Sequence, residues 1–166
     1  MPNKDFVDLE NARIDEQRQV MGQIIADNAC PFCEEHLRRY HKQPILRETQ
    51  HWLLTKNQWP YEHTQLHLLA IYRSHATRLS EIAPEAGQEL LELFQWVERE
   101  YQTPGGGWVM RFGDTDYSAG TVNHIHSQFL VPDIYAADYA SHPVRLKIGK
   151  ILSETAKKLQ TSESLQ

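Results

Sequence analysis

The sequence predicts an α+β domain in which an antiparallel sheet packs against one long helix. Short strand-like segments lie at 45–48, 51–55 and 67–72, a long amphipathic helix is expected at 79–101, and two further strand-like segments follow at 108–112 and 121–131. Strands that are close in sequence and interrupted once by a long helix are typical of this class. The chain of 166 residues is expected to form a single domain over residues 1–160, followed by a polar tail at 161–166.

The first element is predicted to be an amphipathic helix at 8–28, within an N-terminal helical extension that covers residues 1–28. Its apolar residues recur at mostly helical spacing among charged ones, and it leads directly into a Cys-Pro-Phe-Cys segment at 30–33. The three strands that follow are short apolar runs. Loop-forming residues at 57–63 separate the second of these strands from the third.

The longest helical pattern begins at Leu79 and continues through Tyr101, with leucine, phenylalanine and valine recurring on one side. Pro104 and the three glycines after it end this helix. The segment at 113–120 is expected to be a loop between the last two strands. Beyond them, a further strand is expected at 144–148 and a short helix from Lys150 to about residue 159.

Composition limits the classes of function. The formal net charge of −5 argues against a generally basic, nucleic-acid-binding surface. No apolar run approaches the roughly 18 residues needed to cross a membrane, and the polar N-terminus carries no secretory signal pattern. We therefore expect a cytoplasmic protein with no membrane partner. Its two cysteines, Cys30 and Cys33, form one Cys-x-x-Cys, which is compatible with that compartment.

A His-x-His-x-Gln pattern lies within the last predicted strand. Because side chains alternate between the faces of an extended strand, His124, His126 and Gln128 are expected to lie on one face. Three such groups in register suit a metal ion, a phosphate or a covalent phosphoryl intermediate. The alternative is an ordinary polar, exposed face of an amphipathic strand.

The Cys-x-x-Cys pattern is half of many tetrahedral zinc sites, because two thiolates at this spacing can reach one ion. The remaining ligands must come from the nine histidines, and spacing alone does not select among them. A redox-active cysteine pair is the alternative. The βαβ context expected around such a redox motif is missing, since the pair follows a predicted helix, and zinc is therefore favoured.

Three segments together resemble the histidine triad superfamily: a strand with a basic-His turn and helix entry at 66–82, the His-bearing strand at 120–128, and the cysteine pair at 30–33. Most members of that superfamily have histidine where this chain has Gln128. In this respect the chain is similar to galactose-1-phosphate uridylyltransferases and diadenosine tetraphosphate phosphorylases. The resemblance implies a histidine-triad-like fold. The uridylyltransferases carry two such domains in one longer chain, whereas this chain holds only one. The resemblance therefore also implies a homodimer.

The resemblance further implies the roles of individual residues. A structural Zn²⁺ would be held by Cys30, Cys33, His75 and His124. His126 would be the nucleophile and Gln128 a phosphate contact. The substrate-binding residues that the resemblance implies are Asn57 near the ribose, Thr121 near the phosphate, and the backbone around Ser118.

The implied activity is that of a nucleotidyl transferase or hydrolase in which His126 attacks the α-phosphorus of a nucleotide or nucleotide conjugate. A glutamine in place of the third histidine can neither donate nor accept a proton during catalysis, which favours transfer over hydrolysis. Two other classes stay open. One is a non-catalytic nucleotide-binding module, in which Gln128 in place of the usual histidine reflects the loss of catalytic activity. The other is a zinc-stabilised structural or interaction protein.

Overall fold

The computed structural model describes residues 6–151 and contains one five-stranded antiparallel sheet in the order β1-β2-β3-β5-β4. The strands are β1 Ile45–Glu48, β2 Trp52–Lys56, β3 Thr64–Tyr72, β4 Gly107–Arg111 and β5 His126–Pro132. The helices are α1 Asp15–Asp27, α2 Glu34–Tyr40, α3 Pro84–Glu100 and α4 Thr115–Ser118, with 3-10 turns at Leu9–Asn11 and Leu79–Glu81. This architecture confirms the predicted α+β fold class.

The long helix α3 covers one face of the sheet. Its buried side chains recur at helical spacing and pack against alternate residues of the central strands; these helix residues are Ala86, Leu90, Leu93, Phe94 and Val97. The predicted start of this helix at Leu79 was wrong. The α-helix begins at Pro84, which suits a first turn because proline lacks only an N–H group that would have no helical partner there.

The N-terminal extension differs from its prediction over its first half. Residues 9–11 form a 3-10 turn, in which the Asp8 carboxylate accepts the backbone N–H of Glu10, and the α-helix starts only at Asp15. Helix α2, directly after the cysteine pair, is not predicted by the apolar pattern. Only Leu37 and Tyr40 of its seven residues are buried, which is too few to establish a period.

The predicted strand at 121–131 begins five residues later than expected. Before it, Ile125 donates its backbone N–H to Ala76, and the carbonyl oxygen of Ile125 accepts the N–H of Tyr72. These bonds hold the preceding residues as a loop, so His124 lies just before β5 and not on it. The predicted loop at 113–120 contains α4, and the predicted strand at 144–148 is irregular. From residue 152 onward, the predicted helix and the polar tail lie outside the described residues.

The other face of the sheet carries the candidate site. Leu53, Leu69 and Ile71 point to this face and pack with Leu37 of α2. Helix α1 lies beside them, because its residues Met21 and Ile24 belong to an apolar cluster that also contacts Val122 in the loop before β5. Within residues 6–151, no helix combines the length and the apolar character needed to cross a membrane.

Candidate active site and metal site

Four potential metal ligands meet where the Cys-Pro-Phe-Cys turn lies against the loop before β5. The ligand atoms of Cys30, Cys33, His75 and His124 all lie within 4.8 Å of one another. Cys30 Sγ is 3.2 Å from His124 Nδ1, and Cys33 Sγ is 3.5 Å from His75 Nδ1. The ligand atoms of a tetrahedral zinc ion are separated by roughly 3.5 Å. The four side chains therefore fit a tetrahedral ion.

The orientation of His124 leaves Nδ1 available as a ligand atom. Its Nε2 lies 2.6 Å from the carbonyl oxygen of Tyr72, which can only accept, so Nε2 carries the proton. Burial lowers the pKa of His124 to about 4, which keeps the ring neutral. A neutral ring whose second nitrogen donates to a backbone carbonyl is the usual arrangement of a metal-binding histidine.

The surroundings of the two thiols disfavour their ionisation unless a cation is bound beside them. Burial raises the pKa of Cys33 to about 12 and also raises the pKa of Cys30, so both thiols are protonated at pH 7 when no cation is bound. Zinc would supply the positive charge that holds them as thiolates. Two sulfur and two imidazole ligands form a set that zinc prefers, and their meeting in space favours a metal site over a redox pair.

His126, the first residue of β5, has one ring nitrogen held and the other available. Its Nδ1 lies 2.7 Å from the carbonyl oxygen of His124, so Nδ1 carries the proton and the lone pair is on Nε2. Burial lowers the pKa of His126 to about 4, and the ring is therefore neutral at pH 7. The ring of Phe32, from the cysteine turn, packs edge-on against it with 5.2 Å between ring centroids.

Gln128 lies on the same face of β5 as His126 and is oriented by His67 of β3. The backbone N–H of Tyr61 donates to His67 Nδ1 over 3.1 Å, so in the neutral ring the proton is on Nε2. That nitrogen is 2.9 Å from Gln128 Oε1 and donates to it. Since the amide oxygen is occupied, the NH₂ group of Gln128 points away from His67. Burial lowers the pKa of His67 to about 4, which keeps this arrangement at neutral pH.

His67 is a site residue that the sequence interpretation did not select. The signal for it is its position: it lies on the face of β3 that also carries Leu69, the register partner of Gln128. A buried histidine on the same face of the neighbouring strand is well placed to meet that glutamine.

The side chains of His126 and Gln128 line a cavity of about 300 Å³. Asn57 and Thr121 line it too, but both are already hydrogen-bonded: the Asn57 amide oxygen accepts the N–H of Trp59, and the Thr121 hydroxyl donates to the carbonyl of Asn11. Ser118 is buried, accepts the N–H of Gly120 over 3.2 Å, and is not among the described residues that line the cavity. It supports the loop before Thr121.

The cavity is basic, although the chain as a whole is acidic. Its described lining contains four basic side chains, Arg13, Arg111, Arg145 and Lys147, and one carboxylate, Glu10. Arg111 of β4 is the register partner of His126, so both side chains lie on the same face of the sheet. The other three cations come from the segments before α1 and after β5, which no short sequence pattern connects.

No protein-family model and no curated protein matches the sequence. Among solved structures, the chain is similar to a histidine triad nucleotide-binding protein from Candida albicans, with a TM-score of 0.54 and 17% identity over 82% of this chain and 94% of that one. A hypothetical histidine triad nucleotide-binding protein from Sulfolobus tokodaii gives a TM-score of 0.49 with 20% identity, covering 80% of this chain and 87% of that one. A zinc-bound histidine triad family protein from Mycobacterium smegmatis gives 0.47 with 20% identity, covering 81% and 97%.

The likeness to the Candida albicans protein extends over nearly all of that chain and over most of this one. This protein therefore has the fold of the histidine triad proteins.

Proposed function

We propose that the protein binds a nucleotide or nucleotide conjugate and transfers or hydrolyses its nucleotidyl group through a covalent intermediate on His126. The observation that carries this proposal is the hydrogen bond from His126 Nδ1 to the carbonyl of His124, which leaves Nε2 as the nucleophilic nitrogen. The similar Candida albicans structure is that of a nucleotide-binding protein, which supports the choice of ligand.

In the proposed reaction, His126 Nε2 forms a bond to the α-phosphorus while the bond from phosphorus to the leaving group breaks. The leaving group takes the electron pair, and the imidazole ring becomes cationic. The His124 carbonyl then stabilises that cation through the Nδ1–H bond it already accepts. An acceptor, either a second phosphate-bearing molecule or water, displaces the ring and restores the neutral histidine.

Gln128 supports this chemistry as a hydrogen-bond donor. Its oxygen is occupied by His67, so its NH₂ group is the part available to a non-bridging phosphate oxygen. A carboxamide cannot exchange a proton, so poor leaving groups are not protonated and water is not activated by this residue. These limits favour transfer between phosphate-bearing molecules, as in the uridylyltransferases and diadenosine tetraphosphate phosphorylases that share this glutamine.

We also propose that Cys30, Cys33, His75 and His124 hold a structural zinc ion. When bound, zinc would keep both thiols as thiolates and connect the turn after α1 to the loop before β5. That turn also carries Phe32, whose ring packs on His126. The metal site would therefore hold the Phe32 ring in place against His126 without contacting the substrate.

A homodimer is the third part of the proposal. Strand β4 pairs with β5 on one side, and within the described residues no strand pairs with its other side. Beside this open edge, Trp108 is 48% exposed and Phe112 is 52% exposed. An open strand edge flanked by exposed aromatic rings is suited to pairing with a second chain. Light scattering during size-exclusion chromatography should give about twice the chain mass of 19.3 kDa, and a monomer would contradict this part.

Intact-mass spectrometry tests the covalent mechanism. Wild-type protein is incubated briefly with dinucleoside polyphosphates, nucleotide sugars or nucleoside phosphoramidates. A gain of one nucleoside monophosphate is expected in the wild type and not in His126→Ala. His142→Ala is the matched control, since His142 is an exposed histidine outside the described cavity lining. If no donor gives an adduct or a product, the proposed catalysis is wrong, and nucleotide binding without turnover would indicate a binding module instead.

A further inference from the structure

We infer that Arg111, together with Arg13, binds the phosphate that leaves during nucleotidyl transfer. This inference rests on the proposed function, because it names residues that bind the leaving group at the same site. It is carried by the hydrogen bonding of Arg111, by the way the two guanidinium groups meet at Tyr61, and by the character of Gln128.

Arg111 is held beside the nucleophile with part of its donor capacity unused. It is the register partner of His126 and lines the cavity. Its Nη1 donates to the carbonyl of Ala119 over 2.8 Å, and its Nη2 donates to the hydroxyl of Tyr61 over 2.5 Å. Its Nε is buried and has no hydrogen-bond partner among the described residues. A buried N–H donor without a partner is costly in the free protein and is satisfied when a ligand supplies an acceptor.

A second guanidinium reaches the same tyrosine. The Arg13 guanidinium carbon lies 4.2 Å from the centre of the Tyr61 ring, and the group donates to the carbonyls of Trp59 and Pro60. Both arginines are thus fixed by neutral groups, and none of the ion pairs between described residues includes either of them.

The one carboxylate in the described cavity lining does not neutralise these two arginines. Glu10 is bound to Lys150 over 2.8 Å. Two fixed guanidinium groups without a carboxylate in ion-pair contact, beside a candidate nucleophilic histidine, are suited to a doubly charged phosphate, which they can contact with several donors at once.

The proposed reaction, in which Gln128 supplies no proton, gives the two arginines a specific role. When His126 Nε2 bonds to the α-phosphorus of an anhydride, the bond from that phosphorus to the bridging oxygen breaks, and the electron pair goes to the β-phosphate. This leaving group is stable without a proton, but it gains negative charge that the two guanidinium groups would stabilise. An amine leaving group would need a proton that Gln128 cannot supply, and it would present no phosphate to Arg111.

The test is the contribution of the β-phosphate to equilibrium binding, which does not depend on turnover. Titration calorimetry with AMP and ADP gives the ratio of the two dissociation constants. We expect ADP to bind about 30-fold more tightly than AMP in the wild type and in His126→Ala, since charge-assisted hydrogen bonds of this kind are typically worth this much. In Arg111→Gln the ratio should fall to about 3-fold or less, and in Arg111→Lys it should be intermediate.

Arg47→Gln is the matched control. Arg47 stacks on Trp96 at the surface of β1, outside the described cavity lining, and the variant should keep the wild-type ratio. Equal binding of AMP and ADP by a wild type that still forms the His126 adduct would overturn the inference and leave the proposed function standing. An equal loss of AMP and ADP affinity in Arg111→Gln, with folding intact by circular dichroism, would also overturn it. Binding of neither nucleotide by the wild type would overturn both.

Discussion

The carbonyl oxygen of His124 accepts the Nδ1 proton of His126 across 2.7 Å, while the imidazole ring of the same His124 directs its own Nδ1 at Cys30 Sγ, 3.2 Å away. One residue thus takes part in both sites: its ring belongs to the cysteine–histidine cluster, and its backbone orients the candidate nucleophile. A change that shifts the backbone of His124 moves both its ring and its carbonyl. The candidate metal site and the candidate nucleophile should therefore respond together to such a mutation.

The first prediction concerns the loss of a metal ligand. Cys30→Ser should bind less than a tenth of the zinc that the wild type binds and should lose roughly 3 kcal/mol or more of unfolding free energy, because structural zinc binding contributes directly to folding. A loss of that size lowers the melting temperature by roughly 10 °C in a chain of this length. Inductively coupled plasma mass spectrometry measures the zinc content, and thermal unfolding measures the melting temperature.

His142→Gln is the control for this prediction, since it removes a histidine that is exposed and outside the cluster. It should leave both the zinc content and the melting temperature unchanged. A wild type that is isolated without metal, and whose melting temperature a chelator does not alter, would show that the four side chains are not a zinc site.

The second prediction concerns His67. Replacing it with phenylalanine removes the donor that occupies Gln128 Oε1, so the amide can rotate and present either end to the phosphate. We expect kcat to fall about 10-fold with a smaller change in KM, because the lost contact acts mainly on developing charge in the transition state. His67→Gln can still donate to Gln128 and should recover part of the rate. Equal rates for both variants would mean that His67 does not position Gln128.

Much of the fold was predictable because periodic burial determines it. The apolar repeat from Leu90 to Val97 reflects packing of α3 on the sheet, and β5 has buried residues on both of its faces, as expected for a strand covered on both sides. The alternation of side chains along an extended strand places His126 and Gln128 on the same face. Where the backbone is held by irregular hydrogen bonds, the pattern is lost. His124 was expected on the strand, but the bonds of Ile125 to Tyr72 and Ala76 place it in a loop.

The cavity was less predictable than the sheet, because its walls come from distant segments. Arg13 lies before α1, Arg145 lies after β5, and neither has a local pattern that indicates a shared site. Only their tertiary arrangement makes a basic cavity in an acidic chain. His75 illustrates the same limit, since spacing alone left nine histidines equivalent and only the resemblance selected it before the structure brought it to Cys33.

The third prediction concerns acid stability. Burial lowers the pKa of His41 and His67 to about 4, whereas an unfolded histidine titrates near 6.5. Between these values the unfolded chain binds more protons than the folded one, so stability rises with pH in this window and is lost as the pH falls from about 6.5 to 4. Each histidine should lower the unfolding free energy by up to about 3 kcal/mol at pH 4.

Urea unfolding at pH 7, 5.5 and 4.5 measures this effect. His41→Gln keeps a donor for the Thr55 hydroxyl, which His41 Nε2 contacts over 2.8 Å, but it cannot take up a proton. The variant should therefore show a smaller loss of stability between pH 7 and 4.5 than the wild type shows. An unchanged pH dependence in His41→Gln would mean that this ring does not resist protonation in the folded state.

The fourth prediction compares two glycines. A Cβ atom at Gly106 would lie 2.1 Å from the backbone oxygen of Leu130, whereas one at Gly87 would have no atom within 4 Å. Gly106→Ala should therefore push the start of β4 away from β5 and cost about 2 kcal/mol or more, a size seen when a substitution forces a backbone shift. Gly87→Ala, in the first turn of α3, should stabilise by up to about 0.5–1 kcal/mol. Urea unfolding measures the free energy of unfolding of both variants. Equal values would contradict the close approach of the backbone at Gly106 to that at Leu130.

The last prediction concerns the proton that Gln128 cannot supply. In Gln128→His, an imidazole would stand two residues beyond His126 on the same face of β5, where we expect it to reach a leaving group on the phosphorus that His126 is proposed to attack. An amine leaving group benefits from such a proton, so hydrolysis of a nucleoside phosphoramidate should rise by about 100-fold, at the lower end of what general acid catalysis provides. A phosphoanhydride needs no proton and should gain less than about 3-fold by the same reasoning. The ratio of the two kcat/KM values, measured in both proteins, therefore reports the leaving-group preference that Gln128 imposes. An equal change for both substrates would mean that the glutamine does not act at the leaving group.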